Sequence, residues 1–157
     1  MAAGIGILSA ADSTNAPAKK SIISGVSIAP VAVIAYTDLD GPPSYGAGLN
    51  LGYQLNKSVS LNATAIGFEK PDDWRGKAVD ELDVTAKFDL FSASKLTLFG
   101  VAGGSRQFTT SDWGLDVGGG ARFNFTVKLS AFGQYVLQVW DKGETTGQVQ
   151  TGISYGF

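Results

Sequence analysis

The stretch Gly147-Gln-Val-Gln-Thr-Gly-Ile-Ser-Tyr-Gly-Phe157 decides how the rest of the chain is read. At period two, Val149, Thr151, Ile153, Tyr155 and Phe157 fall on one side of a strand, and Gln148, Gln150, Gly152, Ser154 and Gly156 on the other. One side is apolar and ends in two aromatics; the other is small and uncharged. An aromatic last residue without a polar tail is unusual for a water-soluble domain, whose ends fray into solvent. The stretch therefore reads as the closing strand of a β-barrel whose outer face meets lipid.

The same alternation runs backwards through the chain. Leu129, Ala131, Tyr135, Leu137 and Val139 oppose Ser130, Phe132, Gln134 and Gln138; Leu115, Val117, Ala121, Phe123, Phe125 and Val127 oppose Asp116, Gly118, Gly120, Arg122, Asn124 and Thr126. Leu82, Val84, Ala86, Phe88 and Leu90 oppose Glu81, Asp83, Thr85, Lys87 and Asp89. Val59, Leu61, Ala63 and Ala65 oppose Ser60, Asn62 and Thr64, and Tyr45, Ala47, Leu49, Leu51, Tyr53 and Leu55 oppose a face of Gly, Asn and Gln. Two strands give no facing. Residues from about Ser24 to Tyr36, and from Lys95 to about Arg106, are apolar on both sides, and Pro30 suggests a bulge in the first of them. Residues 1–20, with Pro17 and Lys19-Lys20, read as an arm outside the barrel of 21–157. Their start, Met-Ala-Ala-Gly-Ile-Gly-Ile-Leu, is a weak export signal or the remnant of one, since no basic residue precedes the apolar patch.

Eight strands of about 10–14 residues result, longer than the roughly 5–6 of ordinary globular strands. No stretch of helical period separates them. Connections after strands two, four and six are short, and those after one, three, five and seven are read as longer and more polar. Trp74, Trp113, Trp140, Tyr36 and Tyr45 fall near the long-loop ends, while Tyr53, Phe91, Phe125, Tyr155 and Phe157 fall near the short-turn ends. Two aromatic belts are expected where a spanning barrel meets the two membrane interfaces.

Composition agrees by exclusion. Charged residues make up only 17% of the 157, too few for an ordinary soluble exterior, and the net charge of −2 gives no reason to expect nucleic acid. With neither cysteine nor histidine there is no disulfide, no thiolate metal site and no imidazole base. No cofactor is implied. No apolar run is long enough for a spanning helix, so a membrane crossing has to be a closed barrel, the other way to satisfy every backbone group in hydrocarbon.

The whole pattern from about residue 24 to 157 resembles the small eight-stranded outer-membrane barrels, the OmpA-transmembrane and OmpX type. The most specific element is Gly152-Ile153-Ser154-Tyr155-Gly156-Phe157. It is similar to the C-terminal signal by which the outer-membrane assembly machinery recognises these proteins, with Ile153, Tyr155 and Phe157 at its alternating positions. The resemblance implies an all-β, eight-stranded antiparallel up-and-down transmembrane β-barrel in a bacterial outer membrane, with lipid and that machinery as partners. It departs from the family in its weak N-terminal signal.

Chemistry has few places to reside. A barrel of eight strands is just wide enough for side chains to fill. Glycines at 46, 48, 52, 118, 120 and 152 leave room inside for Glu81, Asp83, Lys87, Asp89, Asp116 and Arg122. Charges of both signs within a closed wall should pair, giving an internal salt-bridge network; the rival is a narrow polar pore through the same residues. Asp72-Asp73 reads as a solvated loop pair. The barrel-enzyme families that depend on a catalytic histidine are closed, so no enzymatic role is expected. Trp74 and Arg75, among Lys70, Asp72, Asp73 and Lys77, make either a loop anchor for a protein or surface partner or a headgroup-level tryptophan. Gly118-Gly119-Gly120 lacks the following helix that a phosphate loop needs.

The expected role is thus physical: a barrel that anchors in the bilayer, with a filled lumen, and presents its loops. A small channel is the second reading. A barrel-shaped component of a virion or envelope assembly is the third, and a soluble lipocalin-like binder, whose outer face should carry Lys and Glu, the fourth.

Overall fold

The protein is described by a computed structural model over residues 25–37, 42–69 and 79–157. The arm 1–20, Ser24 at the start of the first expected strand, and the segment holding Lys70, Asp72, Asp73, Trp74, Arg75 and Lys77 lie outside the described residues. Eight strands follow in chain order: β1 (Val26–Tyr36), β2 (Ser44–Gln54), β3 (Val59–Phe68), β4 (Glu81–Ala93), β5 (Leu96–Gln107), β6 (Trp113–Asn124), β7 (Leu129–Trp140) and β8 (Thr145–Gly156). Each pairs antiparallel with its sequence neighbours and β8 returns to β1, so the sheet is a closed up-and-down barrel without a free edge.

Closure rests on Val31–Tyr36 paired in register with Gly152–Gly147, and on Ser27 and Ile28 opposite Gly156 and Tyr155. The Phe157 amide donates to the Val26 carbonyl at 3.0 Å and so locks the last residue to the first strand. Pairing lapses only at Ala29 and Pro30, where proline has no N–H to give, and the register resumes unshifted. The bulge expected at Pro30 is therefore absent. The wall's register shift is in β4 instead, where Leu90 is the extra residue between Asp89, opposite Phe99, and Phe91, opposite Leu98.

The turn end is built from local hydrogen bonds. Asn56 Oδ1 accepts from the amides of Ser58 and Val59 at 2.9 and 3.0 Å, and Thr126 Oγ1 accepts from Lys128 and Leu129 at 3.2 and 3.0 Å. Two side chains of different chemistry thus cap two turns in the same way, because each puts an oxygen within reach of the backbone two and three residues on. The opposite end corrects the expected asymmetry. The connection after β5 (Phe108–Asp112) is only one residue longer than the four-residue turns after β2 and β6, and that after β7 (Asp141–Glu144) equals them, so the long ones are those after β1 and β3.

Facing follows the alternation. Outward positions carry Leu49, Leu51, Leu61, Val84, Leu98, Leu115, Val117 and Ile153, all exposed. Such a continuous apolar wall is far larger than a water-facing monomer tolerates. The two strands of unreadable facing prove to be apolar on both faces. Ala29, Val31 and Val33 of β1 and Phe99 and Val101 of β5 turn inward and join Ile66 and Phe132 in a buried cluster inside the barrel. β1 and β5 are four strands apart in a ring of eight, so this apolar band spans the lumen from opposite walls.

Candidate functional site

The inward faces converge on a lumen with two dissimilar halves. Towards the loop end, β4 and β8 stand opposite one another and meet through their side chains. Gln148 Nε2 donates to Glu81 Oε1 at 2.8 Å, and Gln150 Nε2 to Asp83 Oδ2 at 3.2 Å. Gln138 of β7 donates to the same Glu81 oxygen at 2.7 Å and to Ser105 Oγ at 2.9 Å. Glutamine amides continue the chain: Gln148 donates to Gln138 at 2.7 Å, Gln150 to Gln148 at 3.0 Å and Gln134 to Gln150 at 2.7 Å. Ser105 donates at 2.5 Å to the carboxylate of Asp116. Gln138 and Gln148 have no exposed surface at all, so these bonds lie in the interior, where an unmade one is costly.

Of the six charged residues expected to form one network, only two pair with each other. Arg122 Nη2 bonds Asp89 Oδ2 at 2.9 Å, nearer the turn end. Glu81, Asp83 and Asp116 are held by amides and a hydroxyl. Lys87 makes no ion pair among the described residues, and its ammonium sits over the rings of Phe132 and Phe99, at 4.5 and 5.2 Å from their centroids. The expected salt-bridge network is thus mainly a carboxylate–amide network with one ion pair. The physical reason is facing: β7 and β8 carry glutamine at the inward positions that meet β4, and a glutamine amide offers two donors where a lysine would offer a charge. Gln134, Gln138, Gln148 and Gln150 were legible as inward residues, whereas Ser105 lies in a strand whose facing the sequence does not give; their joint role is set by which strands oppose.

Glycine shapes this space in two ways. At Gly152 a Cβ would stand 2.6 Å from the Pro30 carbonyl oxygen and 2.9 Å from the Phe132 ring, so the missing side chain admits both the neighbouring backbone and the ring. At Gly118 it would run into the Tyr135 carbonyl and reach 2.9 Å from Val136 Cα, so there the missing side chain admits the neighbouring backbone, not a larger side chain.

The loop-side rim is stapled by side chains. Asp80 Oδ2 accepts from the Phe68 amide at 2.9 Å and Oδ1 from the Thr109 hydroxyl at 3.3 Å, joining the ends of β3 and β5. Lys142 Nζ lies 2.5 Å from Asp112 Oδ1, joining the two short loops. The hydrogen bond from Lys142 holds the Asp112 carboxyl below the usual carboxylate range and raises Lys142 in return.

The rim aromatics divide. Tyr36, Tyr45 and Trp113 point outward at the loop end, with Trp113 58% exposed and the Arg106 guanidinium 4.8 Å from its ring. Trp140 does not belong with them. It is 7% exposed, faces inward, and donates from Nε1 to Thr146 Oγ1 at 3.0 Å. It follows Val139, an outward residue, so period two turns it into the lumen, where the indole N–H needs and finds an acceptor. Trp74 lies outside the described residues. At the turn end Tyr53, Phe91, Phe125, Tyr155 and Phe157 are exposed, with Tyr155 and Phe157 edge to face at 5.3 Å.

Among the described residues, a cavity lies on either side of the middle of the lumen. One of ≈ 290 Å³ opens at the turn end beside Lys87, Arg122, Asn62 and Ser154. One of ≈ 220 Å³ opens at the loop end beside Asp80, Glu81, Trp140 and Gln148. The described residues hold no group of three or more acidic side chains placed to bind a metal ion.

No protein-family model matches the chain, and no curated protein matches it significantly. Solved structures do. The attachment invasion locus protein Ail of Yersinia pestis is 19% identical, with a TM-score of 0.55 over 85% of this chain and 97% of that one. Neisserial surface protein A is 14% identical, with a TM-score of 0.57 over 84% and 96%. The N-terminal β-barrel domain of Pseudomonas aeruginosa OprF is 15% identical, with a TM-score of 0.55 over 82% and 97%. At these identities the likeness concerns the fold. The chain has the fold of the small eight-stranded transmembrane barrels of the outer membrane.

Proposed function

We propose that the protein resides in a bacterial outer membrane as a barrel with a plugged lumen, anchoring itself in the bilayer and presenting its loop-side rim to a surface partner. The observation that carries this reading is the set of hydrogen bonds from Gln148 and Gln150 to Glu81 and Asp83, which join opposite walls across the interior. A side-chain bridge between strands four apart closes the shortest route through an eight-stranded ring. The apolar outer wall supplies the anchor, with lipid as its solvent. Ile153, Tyr155 and Phe157 serve the assembly machinery as an address and the finished barrel as rim anchors. The role is physical, without an enzymatic step.

A surface partner is supported by the exposed cluster of Trp113 and Arg106 at the loop-side rim, and by the neighbours of the same fold. One of them, Ail, has been solved with the heparin analogue sucrose octasulfate. Planar-bilayer recording tests the plug: the parent should show no steady conductance, as should Arg122→Ala, whose ion pair lies off the crossing bonds. Sizeable conductance in the parent overturns the plug. The channel reading draws its support from the cavities on either side of the crossing bonds. It expects Gln148→Ala to raise conductance above that of Arg122→Ala.

A further inference from the structure

Among the described lumen residues, Lys87 is the charged one that neither the carboxylate–amide network nor the Arg122–Asp89 pair absorbs. It is 8% exposed, makes no ion pair or hydrogen bond among the described residues, and faces the turn-side cavity of ≈ 290 Å³. With its stem buried and its ammonium drawn out of bulk water to the cavity wall without a counter-charge, it bears a cost that two ring faces offset only in part. The charge balance around it is lopsided. Arg122 lines the same cavity, its partner Asp89 is already engaged, and no aspartate or glutamate is among the lining residues. Glu81, Asp83 and Asp116 belong to the other half of the lumen, across the band of Phe99, Val101 and Phe132. Asn62, Asn124, Ser27 and Ser154 add neutral side chains able to donate.

We propose that this cavity binds a small oxyanion, a phosphate or a carboxylate group, with Lys87 as its charge partner and Arg122 as the second cation. An oxyanion would give the ammonium the charge-assisted bonds it lacks, and the floor of aromatic rings would strengthen them by excluding water on one side. The cavity is wide enough for an ion of phosphate size with bridging water. The site opens towards the turn end and does not depend on whether the middle of the lumen is plugged.

The experiment uses the full chain in detergent micelles, with 13C-labelled lysine and NMR observation of Lys87 Cε. Inorganic phosphate and acetate are titrated separately at constant ionic strength against chloride. A saturable shift of Lys87 with either ion supports the proposal, and the ion that acts tells phosphate from carboxylate. Lys87→Met should weaken calorimetric binding by about tenfold or more, Arg122→Ala by less, and Lys57→Met, in an exposed turn at the same end, not at all. Lys87→Arg, which keeps the cation, should retain binding. A Lys87 signal that follows neither ion, or a calorimetric signal unchanged in Lys87→Met, overturns the site. If Lys87→Met fails to fold, the parent titration still decides.

Discussion

The two halves of the lumen solve the same problem by different chemistry. Both must bury charge inside a ring only eight strands wide. The loop-side half brings Glu81, Asp83 and Asp116 together with glutamines and a serine, so each carboxylate meets a neutral donor, with Asp83 Oδ1 left unpartnered among the described residues. The turn-side half carries Lys87 and Arg122, and gives one of them a carboxylate and the other two aromatic faces. The first arrangement crosses the barrel and the second does not, although each half keeps a cavity, of ≈ 220 Å³ at the loop end and ≈ 290 Å³ at the turn end. A closed wall does not by itself tie its interior together: bonds cross the lumen only where the residues on opposite strands are complementary.

Four substitutions test that contrast, in descending order of effect. Phe132→Ala removes the ring nearest Lys87 and part of the apolar band between the halves. It should cost about 3–5 kcal/mol of stability, measured by urea unfolding in lipid vesicles, and enlarge the turn-side cavity. Gln148→Leu removes two donors from the loop-side half, leaving the Glu81 carboxylate with Gln138 alone. A loss of about 2–3 kcal/mol by the same assay is expected. A loss near that of an exposed control such as Lys57→Met would mean that the crossing bonds contribute little. Asp89→Asn should cost less, about 1 kcal/mol, because its partner Arg122 remains near water in the cavity.

The smallest effect belongs to the rim staple. The Asp112 carboxyl is held below its ordinary range by Lys142, so its contribution is present above the unfolded-state value of about 4 and is lost as pH falls through the depressed one. Lys142 is raised, so its contribution is complete below its unfolded-state value of about 10.4 and fades as pH rises through the higher one. Thermal midpoints of the parent should therefore drift down slightly below pH 4 relative to Asp112→Asn, and coincide in their pH trend between those limits. Parallel acid trends in the two proteins would remove the staple from the account.

Legibility in the sequence tracked the contrast between faces. Six strands alternate between apolar and small or polar residues, and there the facing follows directly from period two. β1 and β5 do not alternate because their inward residues pack against each other across the lumen, so both faces are apolar for different reasons: one meets lipid, the other Val31, Phe99 and their neighbours. Trp140 shows the opposite failure. Its position near a rim suggested a membrane belt, but its parity after Val139 already assigned it to the interior, and only its bond to Thr146 makes that placement inexpensive. The segment around Trp74 is outside the described residues, so the loop anchor rests on sequence alone.

Strand count, antiparallel order, the outward apolar set and the need for closure were readable from the chain alone, because each depends on local periodicity and on the cost of an unpaired edge in hydrocarbon. Which charges meet was decided only by tertiary structure. The pairing of Glu81 with Gln148, the placing of Lys87 over Phe132 and the separation of acids from cations depend on which strands stand opposite in the ring. Residues about 60 positions apart become neighbours through closure, and no local pattern in either strand encodes that meeting.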